Sequence, residues 1–207
     1  GRHKAGESKK EKEMRRRPNQ TEKTRRKIVE AIHVNMKEAD LSDITIRSVC
    51  KKAGVSIGTF YLYFSCKEAA LLYGYRQADE QFLALPLEED AWGSIRKIMT
   101  CYLKMVTLED MHAVRQIYIC HIKYHDTYFF DEQRPIFQLL AAEVGKLVSE
   151  TAVKDVTWGL LTTARGLIYH ACCLKDEQIA LDWHEKQLEE LMDYLSYRVQ
   201  KLQKGNT

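Results

Sequence analysis

The sequence predicts an all-α protein in two parts, a small three-helix head near the N-terminus and a larger helical body behind it. Only three prolines and ten glycines interrupt 207 residues, too few breakers for a turn-rich all-β fold. Apolar side chains recur every three to four residues over long stretches, the helical period. Serine, threonine and glycine stand where such helices must start and stop.

Residues 1–20 are polar and charged, with almost nothing to bury, and are expected to form a disordered basic arm. Arg15, Arg16 and Arg17 in it suit either a solubilising tail or an arm reaching into a minor groove. A first helix is expected from about Thr21 to Ala39, with Ile28, Ala31, Ile32 and Met36 on one face. Arg25, Arg26 and Lys27 crowd its start, against the helix dipole, a small cost that a nearby phosphate would offset. Thr45 is placed to cap a short helix ending at Ala53, where Gly54 can take the left-handed conformation of a helix stop. Ser56 caps the next helix, Ile57 to Phe64, and Ser65 with Glu68 makes a capping box for a fourth helix to about Leu83. Behind Pro86, helices are expected over Trp92–Val106, Met111–Tyr124, Pro135–Ser149, Val153–Leu174 and Leu181–Lys204. The expected domains are residues 1–20, 21–72 and 73–207.

Charge is distributed unevenly. Residues 1–70 hold 17 Lys and Arg against 9 Asp and Glu, a net of +8, and residues 71–207 hold 15 against 20, a net of −5. A basic head on an acidic body suits a head that meets a polyanion. No apolar run approaches the ~18 residues of a membrane span, so neither an anchor nor a secretory signal is expected. The six cysteines form no CxxC pair and read as reduced cytoplasmic thiols.

Chemistry is written most clearly between Thr45 and Phe64. Two short helices meet at the tight turn Ala53-Gly54-Val55, and Val49, Cys50, Val55, Phe60 and Phe64 supply a small shared core. Ser56, Ile57, Gly58, Thr59, Tyr61 and Tyr63 are then left to face outward. Two tyrosines on one short exposed helix suit contact with DNA better than solvation. Gly58 weakens that helix by roughly 0.8–1 kcal/mol relative to alanine, a cost that close approach of the backbone to a groove wall would justify. The run Ala53-Gly54-Val55-Ser56, then Gly58-Thr59-Phe60-Tyr61-Leu62-Tyr63-Phe64, then Lys67-Glu68 resembles the DNA-binding domain of the tetracycline-repressor (TetR) family over residues 21–72. Cys50 departs from the alanine usual there. The resemblance implies that Thr45, Thr59 and Tyr63 contact phosphates and that Lys67 holds a phosphate at a helix N-terminus. Ile57, Gly58 and Tyr61 are expected at base edges, Arg47 at a base or the backbone, and Ser56 beside them.

The resemblance also implies a body that binds a small ligand and dimerises through its last two helices. Stripes through Leu161, Ala164, Ile168, Leu191, Leu195 and Val199 suit such an interface, and equally an ordinary core. Trp92, Tyr102, Tyr118, Phe137, Trp158 and Tyr169, with Phe129 and Phe130, would suit an apolar or aromatic effector, though core packing accounts for each. His121 and His125 have a metal-compatible spacing near His112 and Cys120, but no HExxH glutamate lies between them, and no metal or cofactor is expected. No phosphate loop, nucleophile elbow or paired carboxylates suggest an enzyme. The expectation is therefore a homodimeric regulator on double-stranded palindromic operator DNA, most simply a ligand-responsive repressor. The alternative is a DNA-bound co-activator or adaptor that works through a protein partner.

Overall fold

The structure is a computed structural model that describes residues 9–106 and 111–204, with residues 9–19 by their backbone alone. Every regular element among the described residues is helical: α1 (Lys9–Met36), α2 (Ile46–Ala53), α3 (Ile57–Tyr63), α4 (Lys67–Ala78), α5 (Ala91–Lys104), α6 (Met111–Tyr124), α7 (Pro135–Val144), α8 (Glu150–Cys173) and α9 (Trp183–Lys204). No helix among them is long and apolar enough to cross a membrane. The chain divides into two compact units between Tyr75 and Arg76.

In the first unit, Ile28, Ala31, Ile32 and Met36 of α1 are buried at the expected spacing. The helix itself begins earlier than expected. From Lys9 onward the basic stretch is helical backbone, not an irregular arm, and residues 1–8 lie outside the described chain. Lysine, glutamate and arginine lie close to alanine in helix propensity, so the segment can be helical without a core to bury. Arg25, Arg26 and Lys27 are therefore mid-helix, and the dipole penalty at a helix start does not apply to them. A Cβ at Gly74 of α4 would stand 2.5 Å from Val29 Cγ1, so this glycine is what lets α4 lie close against α1.

The expected capping box at Ser65 and Glu68 does not open α4. The helix starts at Lys67, and Cys66 Sγ accepts the Ala69 N–H at 3.4 Å instead. It also ends at Ala78, passing into a 3₁₀ turn over Asp79–Ala84.

In the second unit, α5, α7, α8 and α9 pack around one core. The apolar stripes of the last two helices are spent here: Leu161, Ala164, Ile168, Leu191, Leu195 and Val199 are all buried within the protomer. Gly159 of α8 makes room for the Tyr194 hydroxyl of α9, which a Cβ would overlap. Pro135 opens α7 as expected, with its fixed φ suited to a first helical turn. That helix stops at Val144, short of Ser149, and continues as turns.

Candidate nucleic-acid interface

The site is built from two caps and a turn. Thr45 Oγ1 accepts the Ser48 N–H at 3.1 Å, closing the start of α2. Gly54 ends it at φ 66°, ψ 38°, the left-handed conformation that glycine adopts without strain. Ser56 Oγ then accepts the Thr59 N–H at 3.0 Å and shares a 2.8 Å hydrogen bond with the Thr59 hydroxyl, opening α3. The departure at Cys50 has a structural use. Its buried thiol donates to the Ser56 carbonyl at 3.7 Å, tying α2 to the first residue of the next turn. Burial pushes this thiol up from its usual range, so it stays protonated and able to donate.

Phe60 is fully buried and Phe64 nearly so, and this decides which way α3 faces. At 100° per residue, the side opposite Phe60 belongs to Gly58 and Leu62, flanked by Tyr61. Leu62 is 73% exposed, Tyr61 55% and Ile57 44%. The sequence reading missed Leu62, although the helical period alone places it there once Phe60 is assigned to the core. A Cβ at Gly58 would meet only Ser56 Oγ, at 3.8 Å, so nothing within the chain requires glycine at that position. Val55, expected in the shared core, is only half-buried, as is Ile46.

Tyr63 and Lys67 are held from outside the motif. The Arg25 guanidinium lies over the rings of both Tyr63 and Tyr73, at 5.6 and 5.5 Å from their centres. The Tyr73 hydroxyl donates to Glu22 at 2.7 Å, and this bond, with Arg26, holds the Glu22 carboxyl below its usual range. Lys67 sends its ammonium to the carbonyls of Ser42 (2.9 Å) and Ile44 (2.7 Å), clamping the connector that leads into Thr45. Arg47 is exposed on α2. The structure thus gathers Thr45, Arg47, Ser56, Ile57, Gly58, Thr59, Tyr61, Tyr63 and Lys67 on two helices and their flanks, and Arg25 joins them.

The residues expected around an effector separate. Tyr118, Phe129, Phe130 and Tyr169 border one open cavity of about 660 Å³ in the second unit. Trp92 is on the surface and Tyr102 is buried beside Phe82. Phe137 and Trp158 pack on each other at 4.7 Å. These four do not border that cavity: core packing claims Tyr102, Phe137 and Trp158, and Trp92 lies on the surface.

Two short helices, a left-handed glycine between them and an outward apolar face on the second define a helix-turn-helix domain of the DNA-binding kind. Residues 26–73 match the model for bacterial regulatory proteins of the tetR family. The likeness to that family is thus one of this N-terminal segment, 48 of the 207 residues. Over 83% of its length the chain is similar in fold to 95% of a transcriptional regulator from Rhodococcus sp. Rha1, with a TM-score of 0.61 and 18% identity. At that identity the likeness concerns the fold alone. No curated protein compared with the chain matches it.

Proposed function

We propose that the protein binds double-stranded DNA as a homodimer, reads a palindromic operator with α3, and represses transcription in response to a small molecule held by its second unit. The outward face of α3 carries this reading. A seven-residue helix that exposes Ile57, Tyr61 and Leu62 around a bare Gly58 has no use for them in its own core. Apolar side chains of that kind meet thymine methyls in a major groove, and a bare backbone can approach the groove wall. Thr45, Arg47, Ser56, Thr59 and Tyr63 frame the face with hydroxyls and charge suited to phosphates, contacts that position the head without reading sequence. A two-fold operator needs two heads. The stripes of α8 and α9 are consumed inside the protomer, so dimerisation falls to their outward faces, where Tyr197 is exposed.

Selection from randomised duplex DNA tests the reading, comparing the wild type with a Tyr61→Ala, Leu62→Ala variant. Both side chains are exposed, so the variant keeps its fold. The expected result is a palindrome enriched by the wild type and lost or relaxed in the variant. A folded wild type that enriches nothing at low salt would transfer the α3 face to a protein partner, and the adaptor reading would replace this one.

A further inference from the structure

We propose that the cavity between α6, the 126–130 connection and α8 takes a flat aromatic molecule that carries no positive charge, and that Gly166 is the residue that leaves room for it. The inference deepens the ligand-responsive reading above and rests on it. The cavity's volume of about 660 Å³ falls within the ~300–1,000 Å³ usual for small-molecule sites. Its wall is a group of rings: Tyr118 lies 5.4 Å from Phe129 and 6.2 Å from Tyr169, centre to centre. Phe130 and Tyr169 hold their rings more than half exposed on that wall, apolar surface of the kind a bound molecule covers.

Charge selects among aromatic ligands. Arg165 is buried at the cavity, donating to the Phe129 carbonyl at 3.0 Å and to the Thr162 hydroxyl at 3.1 Å. Its guanidinium stands 5.2 Å from the centre of the Phe130 ring and 5.6 Å from that of Trp158. The aromatic faces here are therefore already turned to a cation. The Asp126 carboxylate on the same wall is already paired with Arg76 at 2.6 Å, so a second cation would meet the like charge of Arg165, whereas an uncharged or anionic ring system would not.

Gly166 supplies the independent observation. It lies inside α8, where glycine is disfavoured relative to alanine, and a Cβ built on it meets nothing within 4 Å. Internal packing gives no reason for glycine at this position, but the cavity does. Gly166 forms part of its wall, exposed between Thr162 and Tyr169 along the same helix, and a side chain there has open space beside the cavity to enter.

The test titrates the full chain, without DNA, with anilinonaphthalene sulfonate (anionic), phenyl-naphthylamine (uncharged) and ethidium (cationic), for wild type, Gly166→Ala and Gly166→Leu. Melting temperature and sedimentation are recorded alongside. The first two dyes should bind saturably at one site per chain, and ethidium at least tenfold more weakly. Gly166→Leu should weaken the first two at least tenfold while melting no lower than wild type. Should Gly166→Leu prove unstable, Gly166→Ala decides, with weaker dye binding and an unchanged or higher melting temperature. Equal dye binding by the variants, ethidium as the tightest dye, or no saturable binding would overturn the proposal. So would a Gly166→Leu chain whose sedimentation changes while its dye binding does not, since a second copy would then cover the cavity. Retention on the selected DNA is then read with and without bound dye: saturable binding that never alters it would leave the cavity assignment standing and defeat the ligand-responsive reading.

Discussion

His121 shows how one buried side chain makes the second unit sensitive to pH. Its ring stacks on Phe129 with centres 3.8 Å apart, and Nδ1 lies 3.3 Å from the Asp126 carbonyl oxygen. Burial holds its pKa below the usual value, outweighing the opposing pull of Asp126. The folded protein therefore takes up this proton less readily than the unfolded chain, whose histidine titrates near ~6.5. Above that pH both states are neutral here and the group leaves stability unchanged. As pH falls through ~6.5 the unfolded chain binds the proton first, and stability is lost. Urea unfolding followed from pH 7.5 to 5.5 should show this decline, with a shallower slope in His121→Asn. Equal slopes in the two proteins would remove His121 from the account.

Among elements, a fully buried ion pair fastens the Asp79–Ala84 turn to the segment before α7. Arg134 donates through Nε and Nη2 to Asp79, at 2.7 and 3.1 Å, and both side chains are fully buried. The Tyr128 hydroxyl donates to the same carboxylate at 2.9 Å, and burial with the adjacent Asp79 charge pushes that phenol far above its usual range. Such a pair adds little over well-packed apolar residues, but removing one partner strands a buried charge. Asp79→Ala should therefore destabilise the second unit by about 3–5 kcal/mol, read as a drop in the urea midpoint. A loss below ~1 kcal/mol would show that water reaches the guanidinium. The Lys67 clamp is the smaller counterpart in the first unit, where α4 holds the connector that aims α2.

For the whole molecule, the prediction concerns salt. Under the DNA-binding reading proposed above, the logarithm of the affinity should fall linearly with the logarithm of salt concentration, with a slope of about 0.9 for each phosphate neutralised. Lys67 directs its ammonium at two backbone carbonyls. Lys67→Met should therefore weaken binding through misplacement of α2 while leaving that slope unchanged. A slope reduced by ~0.9 per head would instead assign Lys67 to a phosphate. Under the dimeric reading proposed above each slope counts two heads, and a single head would halve it.

How much of this was legible in the sequence depends on the range of the forces involved. Caps, stops and periodicity are local. Thr45, Gly54 and Ser56 declared the ends of α2 and α3 because each acts within four residues of itself. The burial of Phe60 and Phe64 followed from the period, and with it most of the outward face of α3; Leu62 was missed although the same period places it there. Local rules failed where alternatives were nearly equal in energy. Cys66 displaced Ser65 as the start of α4, and the charged stretch before Thr21 continued the helix back to Lys9. Only the tertiary structure decided the rest. Whether the stripes of α8 and α9 faced a core or a partner, which aromatic rings bordered a cavity, and that Lys67 and Arg25 reach across to Ile44 and Tyr63 all depend on contacts between residues far apart in the chain. Periodicity names the face a residue lies on, but packing alone determines what that face meets.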